Sequence, residues 1–235
     1  MITKDLGLVL SNHSIAEDIY EMKLHTQCAD EARPGQFVNL YLNDSKRLLP
    51  RPISICRILP KEESIVLVYR VVGDGTKELA DLSEGSRVEV MGPLGNGYTL
   101  PGDLGKSHPL LIGGGLGIPP MLGLAQAVSH ETECTVVLGY RDELFLQELF
   151  EKTGANVVIA TDSGSHGTKG TVLDAIGAEN VTGDVIYSCG PKPMLRGVKE
   201  FALQEEIPCY ISMEERMACG VGACLGCVVK TTKKH

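Results

Sequence analysis

The run Leu110-Leu-Ile-Gly113-Gly114-Gly115-Leu-Gly117-Ile118-Pro119-Pro120 decides the fold. Three apolar residues make a short buried strand and four glycines in five positions make a turn. Two prolines then suit the first turn of a helix, where no amide donor is needed. This is the physics of a dinucleotide-binding turn, with backbone packed against phosphate at a helix N-terminus. The spacing departs from GxGxxG, because Ile118 occupies the third glycine position after Gly113 and Gly115. Around this run the grammar is strand–helix–strand–helix. Residues 109–112, 134–140, 156–160, 184–189 and 209–213 read as strands, and helical segments lie near 119–129, 143–152, 171–179 and 191–206. That alternation predicts a doubly wound parallel sheet with a ligand crevice at the strand carboxyl ends.

Upstream of residue 104 the signals change to short strands and turns. Tyr20, Met22 and Leu24 alternate with Glu21, Lys23 and His25, while 37–42 and 65–72 are rich in strand formers and Val88 and Val90 alternate with polar neighbours. Gly/Pro turns at 33–36, 73–75 and 92–95 separate these runs, and the pattern predicts an antiparallel β-barrel.

Composition bounds the function classes. The 235 residues allow two domains, and a net charge of −8 argues against general nucleic-acid binding, which requires Lys and Arg against phosphate. No stretch approaches the ~20 apolar residues of a membrane span. The N-terminus carries Lys4 and Asp5 but neither a long apolar run nor a small-residue cleavage site, so a cytoplasmic protein is expected. In that setting eight cysteines point to metal or redox chemistry rather than disulfides.

Three of those cysteines form Cys219-Gly-Val-Gly-Ala-Cys224-Leu-Gly-Cys227, the C-x4-C-x2-C spacing of plant-type [2Fe–2S] ligands. The interleaved glycines allow the dihedrals and close approach that aim amides at sulfur. A structural zinc would use the same thiols but leaves the glycine-rich loop unexplained. No cysteine follows Cys227, so the expected fourth ligand is not found. Three readings stand open: the chain stops short of that ligand, an upstream cysteine such as Cys209 is recruited, or the cluster does not assemble. The tail residue His235 is a further, weaker candidate. Cys28, Cys56 and Cys134 lie in or beside strands and read as small buried hydrophobes.

Two nucleotide signals complete the pattern. Arg51-Pro52-Ile53-Ser54 opens an apolar strand, and Val68-Tyr69-Arg70 precedes Gly73-Asp74-Gly75-Thr76, which leads into a helix of about 77–82. A glycine-preceded helix start offers amides to an anion such as a pyrophosphate, although the string in isolation favours an ordinary turn with Thr76 as N-cap. After the second strand of the α/β region, Asp142 favours a ribose 2′-hydroxyl and hence NAD over NADP, an argument that Arg141 blunts. Cys189-Gly190-Pro191 ends a later strand at the same crevice.

In this order, the residues 51–54, 68–70, 75–76, 113–120, 189–194 and 214–227 closely resemble the electron-transfer subunits of NAD-dependent (B-type) dihydroorotate dehydrogenase. That family lies within the ferredoxin-reductase-like flavoprotein superfamily. The resemblance implies a role between the FMN of a dihydroorotate-oxidising catalytic subunit and NAD⁺, by way of [2Fe–2S] and FAD, in pyrimidine biosynthesis. It also implies a heterotetramer of two plus two. It assigns Arg51, Pro52, Ile53, Ser54, Val68, Tyr69, Arg70, Gly75 and Thr76 to FAD, with Ser54 near the reactive flavin edge. Gly113, Gly114, Gly115, Asp142, Cys189, Gly190 and Pro191 go to NAD(H), and Cys219, Cys224 and Cys227 to the metal. No side chain is assigned a catalytic role, because the redox chemistry belongs to the cofactors. The expected division is an FAD-binding barrel at 1–103, an NAD-binding α/β domain at 104–212 and an iron–sulfur loop, short of one ligand, at 213–235. Two rivals are a subunit of an NAD(P)H:ferredoxin oxidoreductase and a flavin-free metal-binding or assembly module.

Overall fold

The computed structural model describes residues 2–42, 49–129 and 132–230. Six antiparallel strands close a barrel: β1 (Thr3–Ala16), β2 (Ile19–His25), β3 (Phe37–Tyr41), β4 (Arg51–Leu59), β5 (Ser64–Arg70) and β6 (Arg87–Leu94), in the order β1-β2-β5-β4-β3-β6. Helix α1 (Asp74–Ala80) connects β5 to β6. The remainder forms a parallel sheet, β10-β9-β8-β7-β11-β12. Its strands are β7 (Pro109–Gly114), β8 (Thr135–Tyr140), β9 (Asn156–Thr161), β10 (Thr168–Lys169), β11 (Val185–Cys189) and β12 (Cys209–Ser212). The sheet is joined by α2 (Ile118–Val128), α3 (Gln147–Glu151), α4 (Val172–Ala178) and α5 (Lys192–Gln204).

The strand alternation explains the packing. On β7, Leu110 and Ile112 face the core shared with α4 and α5, whereas Leu111 faces α2. On β5, Ile65, Leu67 and Tyr69 fill the barrel, while Val66 and Val68 turn outward and join Leu111, Leu122, Val136 and Tyr187 of the sheet layer. Barrel and sheet therefore share one apolar core. Helix α2 lies between them and is buried on nearly every side, which accounts for its almost uniformly apolar sequence. It approaches β4 so closely that a Cβ on Gly123 would stand 2.7 Å from the Cys56 carbonyl oxygen. By contrast, α5 buries only the stripe Leu195, Val198 and Ala202.

Several boundaries differ from those read in the sequence. Strand β1 carries no clean alternation and was not anticipated; its pairing with β2 is interrupted by register shifts at Val9/Ser11 and Ser14/Ala16. Helix α1 begins at Asp74 rather than near 77. The helix expected at 143–152 shrinks to Gln147–Glu151, because Tyr140 donates its hydroxyl to the Phe145 carbonyl at 2.9 Å and Leu146 adopts a left-handed conformation. The predicted buried cysteines Cys28, Cys56 and Cys134 are all buried and free. No helix among the described residues is long and apolar enough to cross a membrane.

Candidate functional site

The chain runs from β7 outward to β8, β9 and β10, then returns to add β11 and β12 on the other side of β7. Strands β7 and β11 thus flank the point where the order reverses, with α2 on one face and α5 on the other. A crevice forms there because the two connections leave in opposite directions. Gly113 and Cys189 are register partners at its base.

The glycines of this turn do two different jobs. A Cβ on Gly117 would meet the Cys189 carbonyl oxygen at 2.0 Å, and one on Gly114 would meet the Met194 sulfur at 2.5 Å. At Gly113 it would lie 3.0 Å from the Ile118 Cα. Gly114 and Gly117 are required so that the two turns can pack against each other, and Gly113 so that β7 can pack against the start of its own helix α2. Gly115 alone faces open space, with φ +53 as the chain enters the turn before α2. Gly190 is left-handed and seated against Gly114 and Met194, and Pro191 caps α5. Burial pushes the Cys189 thiol up to about 11, so it is neutral at physiological pH. Asp142 is exposed just past β8, beside β7 on the same carboxyl edge. Next to the crevice, Lys192 donates to Glu215 at 2.6 Å. A 380 Å³ cavity lies here, lined by Pro191, Leu195, Met213, Glu214 and Arg216.

On the barrel, Arg51 lies across Gly75: a Cβ on that glycine would be 2.2 Å from the Arg51 Nε. That Nε is buried and has no hydrogen-bond partner. An unpaired guanidinium N–H at the start of α1 suits an anionic oxygen, since leaving such a donor unsatisfied costs on the order of 1–3 kcal/mol. Thr76 is not the N-cap. Gly73 is, and the Thr76 hydroxyl accepts from Val72 N and Gly73 N at 2.9 and 3.2 Å. Ser54 and Pro52 alternate with Ile53, which packs toward the barrel interior. Ser54 shares its face with Cys56, toward the sheet layer.

Val68 is buried in the shared core and Arg70 is exposed. The Tyr69 side chain points inward and donates to Asn12 Oδ1 at 2.9 Å. Asn12 in turn donates to the carbonyls of Leu79 and Leu82 at 2.8 Å, tying off the C-terminal end of α1. Tyr69 therefore supports the helix behind Gly75 and has no free side-chain face for a ligand. This role of Asn12 was not read from the sequence, where it is one polar residue in an irregular strand.

The cysteine loop folds around Cys219. The Cys224 amide donates to its sulfur at 3.4 Å, and the Val221 and Ala223 amides also face it; together they bring the thiol down to about 6. Gly220 and Gly222 make this wrapping possible at φ +71 and +77. Cys227 is half-buried and Cys224 exposed. By donor chemistry the three cysteines suit a thiolate-ligated metal. Among the described residues, no three Cys, His, Asp or Glu side chains are gathered as a metal-holding group. Cys209 packs against the α5 side of the core, and His235 lies outside the described residues. The loop rests on the barrel: a Cβ on Gly220 would stand 2.6 Å from Asn39 Nδ2 and 3.0 Å from Leu94 Cδ1.

Comparison with known proteins gives two family matches. Residues 214–235 match the iron–sulfur cluster binding domain of dihydroorotate dehydrogenase B, and residues 111–200 match the oxidoreductase NAD-binding domain. The chain is 44% identical over 233 residues to the electron transfer subunit of dihydroorotate dehydrogenase B (NAD(+)) from Geobacillus kaustophilus, covering 97% of this chain and 90% of that one. The subunit of the same name from Fusobacterium nucleatum is 42% identical over 235 residues, covering 96% and 89%. Among solved structures, a chain of an NADH-dependent reduced ferredoxin-NADP oxidoreductase superposes with a TM-score of 0.86 at 31% identity, covering 95% of this chain and 81% of that one. A ferredoxin reductase of carbazole 1,9a-dioxygenase, at TM-score 0.77 and 22% identity over 90% and 69%, shares the fold.

Proposed function

We propose a function from one premise, that the chain belongs to the family of electron-transfer subunits of dihydroorotate dehydrogenase B: it carries electrons between a dihydroorotate-oxidising partner subunit and NAD⁺ in pyrimidine biosynthesis. FAD and a [2Fe–2S] group, when bound, supply the hydride and single-electron chemistry. The chain's own residues bind, orient and shield.

In this reading Arg51 directs its unpaired Nε toward the anionic part of FAD at Gly75, and Thr76 holds the first turn of α1 closed behind it. Pro52 and Ser54 present the outer barrel face, with Ile53, Val68, Tyr69 and Arg70 offering backbone or flanking support. Gly113, Gly114 and Gly115 with Cys189, Gly190 and Pro191 bound the NAD(H) crevice, and Asp142 accepts from the ribose. Cys219, Cys224 and Cys227 hold the metal group. The partner carries FMN and the assembly contains two copies of each subunit, in the cytoplasm. The boundaries at 103/104 and 212/213 divide the three functions.

The observation that carries this reading is the seat of the cysteine loop. Gly220 rests on Asn39, whose register partner on β4 is Pro52, so the metal-binding loop adjoins the strand assigned to the flavin. The test is anaerobic purification of the full-length protein with its catalytic partner. Flavin absorption, a [2Fe–2S] EPR signal on reduction and dihydroorotate-dependent NADH formation are expected. A flavin-free preparation after reconstitution with FAD overturns the reading. The structural likeness to a ferredoxin-linked oxidoreductase gives the second reading a concrete form. Reduction of ferredoxin, with no dihydroorotate-dependent activity, is the outcome that favours it.

A further inference from the structure

Asn39 sits in the middle of β3 with no exposed surface, and neither its Oδ1 nor its Nδ2 has a hydrogen-bond partner. Its neighbours Val38 and Leu40 face the barrel interior, so strand alternation aims the Asn39 carboxamide at the outer wall. There it is flanked by Pro52 on β4 and Met91 on β6, its register partners. Gly220 of the cysteine loop closes over it, so near that a Cβ at that position would stand 2.6 Å from Asn39 Nδ2. A carboxamide has two donors and two acceptor sites, and burying it unpaired costs roughly 1–3 kcal/mol for each polar group. A leucine in the same place would fill the space without that cost. The buried amide thus lies between Pro52 of the strand assigned to the flavin and Gly220, the residue beside Cys219.

We propose that Asn39 is a positioning and tuning residue for the metal group of the 219–227 loop, its N–H donating to a sulfur of that group across Gly220. The proposal rests on the reading of the loop as a [2Fe–2S] site. A donor to sulfur stabilises the reduced, more negative form and so raises the reduction potential. The side chain is held from the barrel rather than from the loop, so it also fixes the loop on the flavin-bearing wall.

The experiment uses the full-length protein in complex with its partner, comparing wild type with Asn39→Leu and Asn39→Asp. Iron content, FAD content, the EPR spectrum of the reduced protein and the cluster's midpoint potential are measured. Asn39→Leu removes the donor at nearly constant volume, and Asn39→Asp replaces it with negative charge. The expected order of potentials is wild type, then Leu, then Asp, with about a tenfold change in the one-electron equilibrium for Leu, equivalent to about 59 mV. FAD content and the flavin potential stay at wild-type values. If Leu loses iron, the Asp variant decides: a lowered potential supports the proposal and a wild-type potential overturns it. Equal cluster potentials and EPR spectra in all three proteins also overturn it. Absence of any cluster signal in the wild type defeats the [2Fe–2S] reading itself, an outcome separate from the other two.

Discussion

Arg51 and Gly75 meet with no room for a side chain between them, and the guanidinium Nε is left without a partner. Hydrogen bonds to charged groups contribute about 1.5–3 kcal/mol, so Arg51→Ala is expected to weaken FAD binding by about ten- to a hundredfold. Gly75→Val should act through the same contact by displacing the guanidinium, and the double variant should be little worse than Arg51→Ala alone. Fluorescence titration of apoprotein with FAD checks both. Additive losses would mean that the two residues act separately. The sequence located this pair as two separate motifs. It did not reveal that Tyr69, from the same motif, faces inward to Asn12, because a β-strand's period shows which residues share a face but not which face meets the ligand. Asn39 was equally hidden: one polar residue in an apolar strand gains meaning only when a loop from position 220 arrives above it.

At the scale of elements, the glycine-rich turn was legible as a turn at a strand end, and its chemistry was only half legible. The structure assigns Gly114 and Gly117 to contact between the β7–α2 and β11–α5 connections, a relation that depends on β7 and β11 being neighbours, and Gly113 to contact with α2 itself. Gly117→Ala is therefore expected to destabilise the protein by about 1–3 kcal/mol, the usual cost of overpacking, and to weaken NADH binding. Urea unfolding and NADH titration of the same variant measure the two effects; an unchanged midpoint would contradict the packing assignment.

The opposite edge of these strands is tied by Asp184, which accepts from Ser107 N and His108 N at 2.8 and 3.0 Å. Partial burial pushes this carboxyl up, but the two backbone amides, with Lys106 and His108 nearby, outweigh it and hold the group below its ordinary range. Its stabilising contribution is thus present above the unfolded-state pKa and is lost as pH falls through the lower folded-state value. Asp184→Asn should lower Tm at neutral pH, and the gap to wild type should close as the solution is acidified past the carboxylate range. A gap independent of pH would contradict this assignment.

For the whole molecule, the division into barrel and parallel sheet was readable from the change of grammar near residue 104, since short alternating strands and strand–helix repeats leave different periodicities. What the periodicities could not show is that the two layers share a core. Val66 and Val68 read as ordinary strand residues, and α2 as an unusually apolar helix, until each is seen to cover the other. This sharing predicts one cooperative thermal transition, with calorimetric and van't Hoff enthalpies equal. Gly123→Val, placed where α2 meets the Cys56 carbonyl, should lower that single Tm rather than split it into two. Two separate transitions in the wild type would show the layers to be independent.

The shared core also bears on kinetics. The barrel face carrying Arg51–Ser54 and the crevice between β7 and β11 cannot swing apart without wetting Leu111, Leu122, Val66 and Val68. Their separation is set when the chain folds rather than searched for during turnover. Hydride transfer between flavin and nicotinamide needs the two rings in contact, and such a frame replaces diffusive domain closure with a constant geometry. The hydride step should then be indifferent to the viscosity of the medium.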